Sequence, residues 1–110
     1  MNPESIGVLE ELILLTVGSI TQGAYALTIL EEINEKAERN LDVTTIHSVL
    51  RRLDKKGYVT SEMGGATKER GGRRKRFFQL TAAGKIVLDE NMELRMELYN
   101  KIPKFTFFSL

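Results

Sequence analysis

A chain of 110 residues, 42% hydrophobic and 28% charged, has the size and composition of one globular domain. The absence of cysteine excludes disulfides and cysteine nucleophiles, and a single histidine argues against a zinc site, so we expect no metal and no cofactor. The sequence has neither a secretory signal nor an apolar run long enough for a membrane span, so we expect a cytoplasmic protein.

The net charge of +1 hides a strong segregation of charge along the chain. Residues 51–76 contain ten Lys or Arg and three acids, a net charge of +7, whereas the remaining residues carry a net charge of −6. Such a basic region attracts polyanions. A solvated surface is the alternative explanation, but the cluster is rich in arginine and lies between predicted ordered elements.

Two amphipathic helices are predicted in the first 40 residues. Asn2, followed by proline, is a good N-cap for the first helix, which carries a wide apolar stripe over residues 6–17. A stripe of that width indicates burial on more than one side. The second helix is predicted over residues 24–39, and Asn40 suits its C-terminus because asparagine tolerates the left-handed conformation. Its predicted apolar face consists of Tyr25, Leu27, Ile29, Leu30, Ile33 and Ala37.

The third helix is predicted over residues 43–56, with Asp42 as its N-cap and Gly57 at its end. Its two faces differ in character. The face expected in the core consists of Val43, Ile46, Val49, Leu50 and Leu53. The opposite face is small, polar and basic and consists of Thr44, Thr45, Ser48, Arg51, Arg52 and Lys55.

A β-hairpin is predicted next, with strands over residues 58–63 and 75–80. The first strand is rich in β-branched and aromatic residues, and in the second Phe78 and Leu80 share one face. Two glycine pairs between the strands permit a long turn. Four consecutive cations, residues 73–76, therefore lie at the end of the turn and the start of the returning strand.

The last predicted helix runs from residue 82 to about residue 101, with Thr81 as its N-cap, and ends before Pro103. It carries two apolar stripes, and a helix with two such sides is usually buried between its own domain and a partner. A monomer with one exposed stripe is the alternative. We therefore expect three parts: a domain over residues 1–81, a dimerisation helix over 82–103 and an apolar tail over 104–110.

The order of elements predicts a mainly α fold with a small β-hairpin. The second and third helices fit a helix-turn-helix, and the hairpin that follows fits a wing. Hydroxyl residues near the start of the third helix allow close approach to a duplex, and its cations and those of the wing can neutralise phosphates. Each signal alone has an ordinary explanation, such as a solvated helix face or a simple turn. Their position on adjacent elements favours DNA binding.

Four segments together resemble the PadR family of bacterial transcriptional regulators: LEELILLTV (residues 9–17), AYALTILEEI (24–33), TTIHSVLRRLDKKGYV (44–59) and GGRRKRFFQLTAAG (71–84). The single final helix resembles the short subfamily. At three places the chain departs from the usual pattern, because tyrosine is usual at His47, Tyr-Gly is frequent at Tyr25-Ala26, and a tyrosine pair is usual at Phe77-Phe78.

The resemblance implies a homodimeric winged-helix repressor in which the first and last helices form the dimer. The implied dimer residues are Ile6, Leu9, Ile13, Leu88, Met92, Arg95, Met96, Tyr99 and Ile102. The predicted DNA-binding residues are Thr44, Thr45, His47, Ser48, Arg51, Arg52 and Lys55 on the helix, and Lys68, Arg70, Gly71, Gly72, Arg73, Arg74 and Lys75 in the wing, residues 64–75. Some family members bind phenolic acids or multidrug compounds near the dimer interface.

The leading hypothesis is therefore a sequence-specific dimeric repressor that reads a pseudo-palindromic site in double-stranded DNA. One alternative is a winged-helix protein-interaction module whose basic wing binds an acidic partner. Another is a regulator that senses a small hydrophobic or aromatic effector, for which Met92, Met96 and Tyr99 could form an adaptable pocket wall. An enzyme is disfavoured, because the sequence offers no catalytic residues in a recognisable pattern.

Overall fold

The computed structural model describes residues 5–64 and 74–104 of the chain. In chain order the elements are α1 (Val8–Ser19), α2 (Ala26–Lys36), α3 (Val43–Lys55), β1 (Val59–Met63), β2 (Arg76–Leu80) and α4 (Ala82–Asn100). The two strands form an antiparallel sheet. This architecture confirms the predicted fold class, mainly helical with a small hairpin.

The hydrophobic core lies among α1, α2 and α3 and is closed on one side by the hairpin. Helix α1 is central to it, because α1 contacts α2, α3, α4 and β2. Ile13 and Leu14 are 0% exposed, and Val17 is buried with them. The wide apolar stripe predicted for the first helix is thus covered on more than one side, as expected.

Asn2, the predicted N-cap of the first helix, lies outside the described residues, and Ser5–Gly7 are not helical, so the helix starts later than predicted. Helix α1 begins at Val8, with Gly7 as its N-cap. The Glu10 side chain accepts a hydrogen bond from the backbone N–H of Gly7 at 2.9 Å. This bond satisfies a backbone donor that would otherwise be unpaired at the helix start.

Helix α2 is shorter at both ends than predicted. Ala24 forms an isolated β-bridge with Phe78, whose backbone N–H donates to the Ala24 carbonyl at 2.8 Å. That bond holds the chain extended and delays the helix to Ala26. At the other end Glu38 adopts a left-handed backbone with φ 51°, so the helix does not reach Asn40.

Helix α3 and the hairpin agree closely with the prediction. Asp42 Oδ1 accepts a hydrogen bond from the Thr45 backbone N–H at 2.8 Å, which confirms the N-cap. Gly57 follows the helix with φ 80°, a conformation that favours glycine. The strands pair from Val59 opposite Leu80 to Met63 opposite Arg76.

Two apolar side chains expected in the core lie at the surface instead. Val43 is 42% exposed and Leu27 is 50% exposed. Val43 lies in the first turn of α3, and Leu27 lies in the first turn of α2. Helical spacing predicts which face a residue occupies, but not how far along the helix that face is covered.

Helix α4 is attached to the domain from its start as far as Arg95. Thr81 Oγ1 accepts from the Gly84 backbone N–H at 2.9 Å and donates to the Gly57 carbonyl at 2.7 Å. Leu88 is buried against the core, whereas every residue from Glu93 to Lys104 is exposed. The described residues extend 62 Å along their longest axis, because the second half of α4 projects from the domain.

Candidate nucleic-acid interface

The outward face of α3 presents polar and basic side chains along its whole length. Its exposed residues are Thr44, His47, Ser48, Arg51, Arg52 and Lys55, and Thr45 is half-buried beside the Asp42 cap. Hydrogen bonds from the backbone N–H and the side chain of Thr45 lower the pKa of Asp42 from its usual 3.8. The opposite face, with Ile46, Val49, Leu50 and Leu53, is buried as predicted.

Two cations at the end of α3 are held by Glu10 of α1. Lys56 Nζ lies 3.0 Å from Glu10 Oε2 and donates to the Ser5 carbonyl at 3.0 Å. Arg52 Nε lies 3.9 Å from the same carboxylate, while its side chain is largely exposed. Arg52, one of the predicted DNA contacts, thus also lies beside the Glu10 carboxylate of α1.

The returning strand of the hairpin brings three more cations beside α3. Arg74, Lys75 and Arg76 are exposed, and Arg76 donates to Ser61 Oγ at 3.0 Å. Their neighbours in the predicted wing, Lys68, Arg70, Gly71, Gly72 and Arg73, lie outside the described residues. Within the described part of the chain, the basic character of the hairpin therefore rests on residues 74–76.

Tyr25 joins this surface through an aromatic and cationic cluster. Lys75 Nζ lies 3.3 Å from the Tyr25 hydroxyl and 4.3 Å from the centroid of its ring. The ring of Phe77 meets Tyr25 edge to face, with centroids 5.6 Å apart. Tyr25 was predicted on the apolar face of the second helix. No local pattern marks its true position, which follows from the bridge between Ala24 and Phe78.

An open groove of about 730 Å³ separates α3 from the hairpin. Polar and charged groups of three elements meet at it, from Tyr25, His47, Arg51, Asp54, Ser61, Lys75 and Arg76. Apolar residues also line it, from Ala26, Leu27, Val43, Leu50 and Phe78. Three cations against one acid make the groove attractive to an anionic chain, and an apolar lining suits the sugars or methyl groups of such a chain.

A family profile of the transcriptional regulator PadR-like family matches residues 13–90. The chain belongs to the PadR-like family of transcriptional regulators. This confirms the resemblance noted in the sequence, and it confirms that the chain is not an enzyme, since members of the family are transcriptional regulators. A search of curated proteins found no match.

Solved structures place the chain in the PadR-like fold. A PadR-like transcription factor from Bacteroides fragilis is similar with 26% identity, 84% coverage of both chains and a TM-score of 0.71. A PadR family regulator from Clostridium difficile R20291 has 22% identity, coverage of 86% of this chain and 93% of that one, and a TM-score of 0.71.

PadR of Bacillus subtilis, solved in complex with operator DNA, has the same fold, with 19% identity and a TM-score of 0.66. The aligned region covers 78% of this chain and 47% of the Bacillus subtilis chain. The predicted winged helix-turn-helix is thereby confirmed, with α2 and α3 as its helices and β1 and β2 as its wing.

The predicted dimer residues fall into three groups in this PadR-like chain. Met96, Tyr99 and Ile102 are more than half exposed on the projecting part of α4. Ile6, Leu9 and Met92 are half-buried against the core or beside it, and Arg95 pairs with Glu11. Ile13, at 0% exposure, and Leu88, at 5%, are enclosed by their own domain. Both side chains therefore pack inside a single chain, and the predicted dimer role of these two residues stays a prediction.

Neither a metal centre nor a membrane segment is found in the described part of the chain. Residues 5–64 and 74–104 contain no group of three or more potential metal-ligating side chains. None of the helices in these ranges combines the length and the apolar character that crossing a membrane would require.

Proposed function

We propose that this PadR-like chain is a sequence-specific DNA-binding regulator that acts as a homodimeric repressor. The observation that carries the proposal is the meeting of cations from two elements, Arg51 on α3 with Lys75 and Arg76 on the hairpin, along one groove. A recognition helix with small hydroxyl residues near its start can approach base edges closely. The proposal places the protein with the bacterial chromosome, in the cytoplasm.

In this proposal α3 enters the major groove and the hairpin lies on the adjoining sugar-phosphate backbone. Thr44 and Ser48 then face base edges or phosphates, and Arg51 reaches a phosphate or a guanine. The Tyr25 hydroxyl and the Lys75 ammonium point toward the same groove and offer a paired hydrogen-bonding site to one phosphate oxygen. The basic wing residues outside the described ranges stay predicted DNA contacts.

The proposed dimer uses the projecting part of α4, whose apolar residues are Leu94, Met96, Leu98, Tyr99 and Ile102. Each is at least half exposed, and a contiguous apolar surface of this kind on a soluble protein marks an association site. A two-fold dimer places its two α3 helices about one duplex turn apart, ~34 Å, and so reads an inverted repeat.

Selection of bound duplexes from a random pool tests the proposal directly. An enriched inverted repeat is the expected result. The second measurement compares Arg51→Ala and the double variant Arg74→Ala/Lys75→Ala with Lys85→Ala, which removes an exposed cation on α4, away from the proposed site. The first two should weaken binding and flatten its salt dependence, because fewer counterions are released. Unchanged affinity in these variants would count against DNA binding and favour the protein-interaction module.

A ligand-sensing regulator is the second candidate function. Met96 and Tyr99 are exposed on the projecting half of α4, and Met92 is half-buried nearer the domain. A second copy laid against them would enclose an adaptable, polarisable cavity between the two protomers. Titration with planar aromatic compounds tests whether an effector binds in this cavity. Tyrosine fluorescence is recorded for the wild-type dimer and for the Tyr99→Leu variant, which lacks the reporting residue at the site. Identical responses in the two proteins would refute it.

A further inference from the structure

Glu11 is a buried carboxylate in the contact between α1 and α4, only 8% exposed. Its Oε2 accepts a hydrogen bond from Asn91 Nδ2 at 2.9 Å and lies 3.3 Å from Arg95 Nη2. Arg95 Nε is 3.2 Å from the other oxygen, Oε1. These three side chains, here called the Glu11 clasp, satisfy a charge that would be unfavourable at this depth without partners.

The clasp is the last attachment of α4 to its own domain. Asn91 and Arg95 are four residues apart and therefore lie on one face of α4, one turn from each other. Leu88, one turn earlier, makes the apolar contact with the core. Beyond Arg95 the described residues of α4 are all exposed, so the clasp determines the direction in which the projecting half leaves the domain.

Glu10, the residue before Glu11, connects the same turn of α1 to α3, the proposed recognition helix. Glu10 pairs with Lys56 at 3.0 Å and with Arg52 at 3.9 Å, both at the C-terminal end of α3. Adjacent carboxylates on α1 thus hold the base of α4 on one side and the end of α3 on the other. One turn of α1 therefore links the end of α3 to α4 through two neighbouring side chains.

From this arrangement we infer that the Glu11 clasp sets the half-site spacing that the dimer accepts. The inference rests on the proposed function. The second half of α4 joins the two protomers, so any tilt at the clasp moves each α3 along the duplex. Over a lever of about 20 Å, the length of the 13 residues of α3, a tilt of roughly 10° displaces the far end of α3 by about 3.5 Å, close to the rise of one base pair. Glu11 and Arg95 are then positioning residues for recognition and do not touch DNA.

The experiment measures affinity for a series of duplexes in which the selected half-sites are separated by one base pair fewer or more. Wild-type dimer should prefer one spacing by roughly tenfold, the scale of one lost base pair. Glu11→Gln and Arg95→Gln should each reduce that preference to about twofold or move the optimum. Glu93→Gln removes an exposed carboxylate from α4 and should keep the wild-type profile.

Arg95→Gln decides the question if Glu11→Gln folds poorly, because Arg95 is half exposed and its loss leaves the core intact. Combining the two substitutions should add little to either alone, since both break one clasp. A uniform loss of affinity at every spacing, or an unchanged preference, would overturn the inference. Failure of the proposed function looks different, because the wild-type dimer would then select no half-site at all.

Discussion

Replacing Gly84 by alanine should destabilise the protein, although the same change stabilises most helices. Gly84 is the third residue of α4, and its backbone N–H donates to Thr81 Oγ1. A Cβ added there would overlap the carbonyl oxygen of Tyr58 and lie 2.8 Å from Leu80 Cδ1. The Tyr58 carbonyl accepts from the Thr81 backbone N–H at 3.1 Å, so it cannot move away without disturbing the start of α4.

The magnitude follows from two opposing effects. Alanine in place of glycine inside a helix contributes about 1 kcal/mol of stability. Overpacking costs about 1–3 kcal/mol, and a clash with a backbone atom held by its own hydrogen bond lies in the upper part of that range, about 2–3 kcal/mol. We therefore expect a net loss of about 1–2 kcal/mol. For a domain of this size, a loss of that order lowers the melting temperature by about 5–10 °C.

Gly18→Ala is the matched control, because Gly18 also lies in a helix, near the end of α1. Its added Cβ would be 3.2 Å from Leu80 Cδ2, the end of a flexible side chain that can shift. This variant should be as stable as wild type or more stable by up to about 1 kcal/mol. Both are measured by thermal and urea unfolding at one protein concentration, since dimerisation affects apparent stability. A Gly84→Ala protein as stable as wild type would refute the reasoning.

Three further predictions concern Glu10, Tyr25 and the projecting half of α4. Burial by itself raises the pKa of Glu10, but the Gly7 N–H, Lys56 and Arg52 outweigh it and lower that pKa below 4.5. The contribution of Glu10 to the free energy of unfolding, about 1 kcal/mol or less, is therefore complete above pH 4.5. It is lost as the pH falls through the lowered pKa of the folded state. Urea unfolding between pH 3 and pH 7, roughly the range of this titration, should show a decline that Glu10→Gln reduces, and parallel curves would contradict this. Tyr25→Phe keeps the ring contact with Phe77 and should leave stability unchanged. It should weaken DNA binding, measured by fluorescence anisotropy, by about two- to fivefold. Equal affinity of the variant and wild type would show that the Tyr25 hydroxyl does not contact DNA. Leu98→Glu should convert the dimer to monomer in sedimentation velocity, whereas Leu27→Glu, at an equally exposed leucine far from α4, should not. A dimer that persists in Leu98→Glu would show that the apolar surface of the projecting part of α4 is not the dimer interface.

The elements of the fold follow closely from the sequence where capping residues and apolar spacing indicate the same boundaries. Helix α3 is the clearest case, because its N-cap Asp42, its apolar spacing and its terminal Gly57 all act within a few residues of the helix. The α4 start at Thr81 and the two strands follow from equally local patterns. The exposed polar face of α3, which carries the candidate site, was predictable for the same reason.

The errors arise where distant residues compete with a local signal. Ala24 is held extended by a hydrogen bond from Phe78, more than 50 residues away, so α2 begins later than its sequence indicates. The same bond places Tyr25 beside Lys75 and brings it into the candidate site. Helical periodicity placed Ile13 and Leu88 on apolar stripes but could not tell whether their own domain or a partner covers them.

The sequence by itself determined the order of helices and strands, the basic segment and the family, because capping, periodicity and charge are read from neighbouring residues. Tertiary structure alone decided which apolar surfaces remain open and which ion pairs hold them in place. Glu10 and Glu11 illustrate the difference, since adjacent and chemically identical side chains bind opposite helices. Their partners lie 42 to 84 residues away, and only the packing of α1 between α3 and α4 brings them within reach.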